Sequence, residues 1–163
     1  MLKLILILST LASAVGLAEG GANARTSKKV GAYLGVLEPV PSSVSLNIGY
    51  NISPAFRGTF GIGKAGNPSG NLSTWALGVK ILMPKWSLAP CLHLNWANVS
   101  HSGNGTIKGF AADASHLYLG IGLDYTADSG LFLSIAYNMS LNGGTSSEPS
   151  IAIGWFFDSA DLF

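Results

Sequence analysis

The sequence predicts an all-β fold, an eight-stranded antiparallel up-and-down transmembrane β-barrel, on three observations. Bulky apolar and small polar residues alternate with a period of two: Val44, Leu46, Ile48, Tyr50 and Ile52 stand on one parity, Ser45, Asn47, Gly49 and Asn51 on the other. Successive side chains of a strand point to opposite sides, so this spacing belongs to a strand with two unlike faces. Only 10% of the 163 residues are charged while 48% are hydrophobic. Soluble domains carry about 25% charged residues, so a water-facing exterior is poorly provided for. The alternation recurs in eight segments, and an even number of antiparallel strands suits a closed barrel of a bacterial outer membrane.

The chain opens MLKLILILSTLASAVGLA, with Lys3, a Leu/Ile-rich run from Leu4, and then small residues. That order is the pattern of a secretory signal peptide. Cleavage is expected after Ala18 or Ala24, which assigns residues 1–24 to the signal and 25–163 to one outer-membrane barrel domain. The apolar run is short for a helix of ~20 residues that spans a bilayer. The single Cys91 cannot form an internal disulfide.

Strands are expected at 29–38, 43–52, 55–64, 72–82, 86–97, 116–126, 131–142 and 150–157. Each is near the ~10 residues that a tilted strand needs to cross a bilayer. Turn chemistry separates them: Pro39 and Pro41, Ser53-Pro54, the Gly/Asn/Pro run 66–70, Pro84-Lys85, the long stretch 98–115, Asp128-Ser129-Gly130, and Gly143-Gly144. Outer-membrane barrels have short periplasmic turns and longer outer loops. The short connections at Ser53, Pro84 and Asp128 therefore read as periplasmic, and those at Gly66, Gly103 and Gly144 as extracellular. The first strand leaves two parities open, with Gly31, Tyr33 and Gly35 against Val30, Ala32 and Leu34.

Trp75, Trp86, Trp96, Trp155, Tyr50 and Tyr125 fall on the lipid-facing parity near strand ends. They read as interfacial aromatic girdles, because Trp and Tyr favour membrane borders where the ring is in apolar surroundings and the polar atom is wet. The lipid-facing runs Leu92-Leu94, Leu117 to Leu123 and Leu131 to Ile135 contain no charge; Arg or Lys at the bilayer midplane would cost roughly 2 to 4 kcal/mol. The opposite parity carries Gly, Ala and Ser, which suits a narrow interior. It also carries Arg57, Lys80 and Asp124, expected to form an ionic cluster at the periplasmic end of the lumen, with His93 beyond it. Buried charges are rarely left unpaired.

Two stretches, SLNIGYNISPAFRGTFGIGKA and HLYLGIGLDYTADSGLFLSIAYNMSL, carry a resemblance to the small outer-membrane β-barrel family, the OmpA/OmpX-like group. The resemblance implies a membrane-embedded barrel whose interior ion pairs block the lumen. It also implies that the terminal Phe163 is offered to the outer-membrane assembly machinery, although Ser159 and Asp161 interrupt the apolar parity before it. Some eight-stranded relatives act on lipid A or phospholipid. The lipid A deacylases place a His-x-Ser-Asn motif late in the penultimate strand, where this chain reads Ala136-Tyr137-Asn138-Met139-Ser140 without His.

The leading expectation is a structural or surface-interaction protein and not an enzyme. Its partners would be outer-membrane lipid and lipopolysaccharide, with an unidentified extracellular ligand at loop residues such as His101, Asn104, Lys108 and Asp113. A narrow transporter for small hydrophobic molecules is the alternative, with Tyr33, Leu37, Tyr118 and Phe132 as candidate lining; a lipid-modifying enzyme using His101 and His116 is the third. A net charge of +1 gives no basis for binding nucleic acid. No metal-ligand spacing, P-loop or dinucleotide fingerprint occurs, and no cofactor is expected.

Overall fold

The structure, a computed structural model, describes residues 21–37, 43–67, 70–102, 114–142 and 148–158. A short helix, α1 (Gly21–Ser27), leads into eight strands: β1 (Lys28–Val36), β2 (Val44–Ser53), β3 (Phe56–Asn67), β4 (Gly70–Leu82), β5 (Leu88–Ser102), β6 (Ala114–Thr126), β7 (Leu131–Ser140) and β8 (Glu148–Asp158). Each strand pairs antiparallel with its sequence neighbours, and β1 pairs with β8 to close the barrel. Helix α1 is not among the elements expected from sequence, and it straddles Ala24.

The register fixes the shape of the barrel. From Tyr33 the ladder runs through Asn47, Gly61, Ala76 and Ala97 to His116 in one direction. In the other it runs through Gly154 and Phe132 to Thr126. The two routes meet β6 ten residues apart, at His116 and Thr126. With a rise of about 3.4 Å per residue and about 4.8 Å between strands, that stagger over eight strands sets a tilt of roughly 40°. A barrel of eight strands is just wide enough for side chains to fill.

The alternation read from the sequence becomes inside and outside. Leu46, Ile48, Tyr50 and Ile52 are exposed, while Ser45, Asn47 and Asn51 are buried. The same holds on β7, where Leu133, Ile135 and Tyr137 face out and Phe132, Ser134, Ala136 and Asn138 face in. In β1 the ladder resolves the open parity, because Gly31, Tyr33 and Gly35 are the buried set. Leu37, a candidate lining residue, lies past the end of β1 at a φ of 55° and is only half-buried, so it is not part of the inner wall.

One end of the barrel carries three short turns and α1; at the other, the connections after β1, β5 and β7 are longer, whereas only residues 68–69 separate β3 from β4, so the long loop expected at Gly66 is instead strand paired through Gly66↔Asn71 and Asn67↔Gly70. The turn after β6 is closed by Gly130, whose φ of 100° is in the left-handed region that glycine tolerates without strain. Its N–H donates to Ala127 O at 2.9 Å, and its carbonyl accepts from Phe156 N at 2.8 Å. Inside, glycines are placed where large side chains cross the bore. Phe156 lies over Gly31 and Gly49, and His93 lies over Gly120. At Gly122 a Cβ would run into Ile135 O and the Ala136 backbone.

Glycine positions should therefore differ sharply in tolerance. Gly122→Ala is expected to lower stability by about 1–3 kcal/mol, because its obstacle is backbone that no rotamer change removes. Gly58→Ala, which meets only Ile52 Cδ1 at 3.8 Å, should stay within about 0.5 kcal/mol. Urea unfolding of the two variants, followed by tryptophan fluorescence, checks the pair.

Candidate functional site

The turn-end half of the lumen is filled by charge. Arg57 leaves β3 at the second residue after its turn, and Asp124 leaves β6 three residues before the next turn, so both reach the bore at similar depth. Arg57 Nη1 donates to Asp124 Oδ1 and Oδ2 at 3.0 and 2.9 Å. Its Nε donates to Asn51 Oδ1 at 2.8 Å and its Nη2 to Thr126 Oγ1 at 3.3 Å. Lys80 Nζ lies 3.8 Å from Asp124 Oδ2 and donates to Ser134 Oγ at 3.0 Å. Arg57, Lys80 and Asp124 are all fully buried. The three residues singled out from the sequence are thus brought together across the barrel.

Aromatic rings complete the seal. The Arg57 guanidinium lies over both Phe132 and Phe156, which pack on each other, at 4.8 and 4.4 Å from their ring centroids. A desolvated cation over two rings gains from both quadrupoles. Tyr33 packs on Phe132 and Phe132 on Phe156, with centroids 4.9 and 5.4 Å apart. These rings, two of them candidate lining for a channel, fill the bore at this level.

Below the cluster, α1 caps the turn end through one side chain. Arg25 Nε donates to Pro54 O at 2.9 Å, while Nη2 donates to Met83 O, Pro84 O and Trp86 O at 3.0, 2.9 and 2.8 Å. One guanidinium therefore ties the helix to two of the three short turns. Ala24 and Arg25 are buried while Asn23, Thr26 and Ser27 are exposed, so little apolar packing supports that tie. Burial pushes the Arg25 guanidinium below its ordinary pKa, with Asp124 opposing the shift and Arg57 adding to it. An arginine retains its proton through such a shift, so the cap remains a cation.

The long-loop half of the lumen is lined by smaller groups. Asn138 Nδ2 donates to Ser150 Oγ at 3.0 Å, and Ala76, Ala97 and Tyr118 pack together above it. His93 and His116 are buried on this inner face. Among the described residues, no group of three or more His, Cys, Asp or Glu is placed to hold a metal ion. His101 lies on the backbone of β5, whereas Asn104, Lys108 and Asp113 lie outside the described residues, as do residues 159–163.

Five of the six aromatic residues expected as girdles stand on the outward parity of their strands, whereas Trp86 lies in the turn before β5 and is half-buried. Trp75 and Trp96 meet edge to face toward the long-loop end, with centroids 5.0 Å apart and planes at 88°. Tyr50, Tyr125, Trp86 and Trp155 are toward the turn end, Tyr125 opposite Leu88 and Trp155 opposite Leu131. Phe60 is also outward, near mid-strand between Ile48 and Leu77.

Sequence reasoning missed Arg25, Asn51, Thr126 and Phe156. Asn51, Thr126 and Phe156 stand on the lumen parity next to the cluster, and that was the available signal. Arg25 carried none, since it sits beside an Ala-rich stretch that reads as a cleavage site. No protein-family model and no curated protein matches the chain.

Breaking the central pair should be costly. Asp124→Asn leaves two buried cations without their carboxylate, and a loss of about 3–5 kcal/mol is expected. Asp158→Asn, which removes the half-exposed partner of Lys28, should cost less than about 1 kcal/mol. Urea midpoints at low and high salt check both, the Asp124 effect persisting in salt. Arg25→Ala should loosen the cap. The thiol of Cys91, buried on the inner wall, would then react roughly ten- to 150-fold faster with a small maleimide, as expected for losing about 1.5–3 kcal/mol of charge-assisted hydrogen bonding.

Proposed function

We propose that this chain is an integral bacterial outer-membrane β-barrel of the OmpA/OmpX-like kind. On this reading it is exported through a cleaved signal peptide and has a structural or surface-interaction role through its long loops. The observation that carries the reading is that the barrel is inside out. Its outer surface is a continuous belt of Leu34, Leu46, Ile48, Ile62, Leu77, Val79, Leu92, Leu94, Ile121, Ile135 and Ile153, all exposed. Its interior holds Arg57, Lys80 and Asp124 with their hydrogen bonds satisfied from within. Water would penalise the first arrangement and lipid tolerates it.

The dimensions agree with that solvent. Ten residues of β2, tilted at roughly 40°, rise about 25 Å, the height of the apolar band of outer-membrane barrels. The outward Trp and Tyr residues are toward both borders of this belt, as interfacial aromatics are. Closed pairing leaves no strand edge, which is the condition for strands in a medium without hydrogen-bonding solvent. Among the described residues, no helix is long and apolar enough to cross a membrane, so crossing would fall to the strands.

The plugged lumen favours a scaffold over a channel. Tyr33 and Phe132, which a conduit for small hydrophobic molecules would use as lining, pack on each other and on Phe156 beside the ion cluster. What such a scaffold offers to partners is its exterior and its loops: lipid and lipopolysaccharide around the belt, the assembly machinery during insertion, and an external ligand at Asn104, Lys108 and Asp113 with His101, which stands at the end of β5 and not in the loop.

Electrophoresis of detergent-extracted outer membranes tests the proposal. Unheated protein should migrate at a different apparent size from boiled protein, because closed strand pairing survives the detergent. Recovery in the soluble periplasmic fraction, with no heat shift, would refute it.

A further inference from the structure

The barrel wall is not of even height. Strands β3 to β6 have 12, 13, 15 and 13 residues, whereas β1, β2, β7 and β8 have 9, 10, 10 and 11. Followed through the stagger and tilt, the additional residues all rise at the long-loop end, and this side stands roughly 10 Å higher than the other.

The raised side changes chemistry where it leaves the apolar belt. Ladder rows place Leu77 beside Trp96 and Leu117, then Trp75 beside Asn98 and Ser115, then Lys64 beside Ser73 and Ser100. All nine are on the outward parity, so along β3 to β6 the surface passes from aliphatic to aromatic to amide, hydroxyl and ammonium. On the low side the outward residues remain apolar to the strand ends, at Val36, Val44, Leu141 and Ile151. Among the described residues, Lys64 is the one charged side chain on the outer face of the long-loop half, and no acidic side chain shares that face.

We propose that this raised wall binds the phosphorylated saccharide headgroup of a membrane glycolipid, with Lys64 on the phosphate and the Trp75–Trp96 pair under the sugar ring and the first acyl carbons. The inference rests on the membrane reading above. An ammonium with no ion-pair partner among the described residues, at the border of an apolar belt, complements an anionic headgroup. Two tryptophans packed edge to face at 88° offer a ring face beside a ring edge, an apolar step that carries indole N–H donors. Ser73, Ser100 and Asn98 supply the donors and acceptors that sugar hydroxyls require. The acyl chains would continue down the belt over Leu77, Leu94 and Leu117, and the ligand is thereby held to the height at which its chemistry changes.

Binding to the folded barrel in zwitterionic detergent micelles tests this, with fluorescently labelled phosphorylated lipid A bearing core sugars as probe and anisotropy as readout. Wild-type protein should bind it, and Lys64→Gln should bind about ten-fold more weakly, the loss of one charge-assisted contact. Lys85→Gln, which removes an exposed cation at the turn end, should match wild type. Equal affinities for the two variants would overturn the proposal. Competition by phosphatidylglycerol, or by the phosphorylated saccharide without acyl chains, as strong as that of the glycolipid would also overturn it. The first would reduce the site to bare charge, the second to a soluble glycan. An unheated gel lane of each sample separates the two levels of the account. No heat shift would remove the membrane reading and this inference together, while a normal shift with unaltered Lys64→Gln binding would remove this inference alone.

Discussion

The seam between β1 and β8 runs from Lys28↔Asp158 to Val36↔Ile151, and the remaining features depend on it because it removes the last strand edge. Through the belt each strand is paired on both sides, so the outer surface there has few backbone hydrogen bonds to offer and its side chains can be apolar. Closure also fixes the stagger, which sets the tilt, the bore and the height of each wall. A bore this narrow can be filled only if small residues stand opposite large ones. Gly31 and Gly49 under Phe156, and Gly120 under His93, are the visible result.

Closure creates the electrostatic problem that the lumen then solves. Arg57, Lys80 and Asp124 are confined to a space where none is exposed to bulk solvent, so their energy depends on mutual geometry. Two contacts from Arg57 to one carboxylate, with Asn51, Thr126 and Ser134 taking the remaining donors, satisfy the group from within. The three charges do not cancel, and Arg25 adds a further cation below them. A stack of cations with two rings across it is a poor path for solute, which is why a structural scaffold is the reading that the interior supports best.

Much of this was legible in the residues. The period of two gave the strands and their faces, because a two-faced wall writes its solvent difference into alternate positions. The charges on the inner parity gave the cluster, because three ionisable groups in a narrow bore have few places to go. Other parts left no trace. The expected end of β5 near residue 97 fell short of Ser102, since beyond Trp96 the outward face turns polar and the alternation fades where the wall leaves the belt. For Phe156 the trace was present but masked: Trp155 on the outward parity puts Phe156 inside, yet the unbroken apolar run Trp155 to Phe157 drew no attention to it. Arg25 was obscured because the small residues that mark a signal cleavage site also build a short helix. The uneven rim depends on stagger, which is a property of the pairing and not of any one strand.

The most direct measurement of the central claim, that the outer belt is in lipid, is tryptophan quenching in vesicles of acyl-brominated phospholipid. Trp75, Trp96 and Trp155 are outward and exposed. The account predicts that bromines close to the headgroup quench most strongly, that quenching weakens as the bromines approach the bilayer centre, and that aqueous iodide has little effect. Efficient quenching by iodide, with none from any brominated lipid, would contradict it and leave the apolar belt without a solvent to explain it.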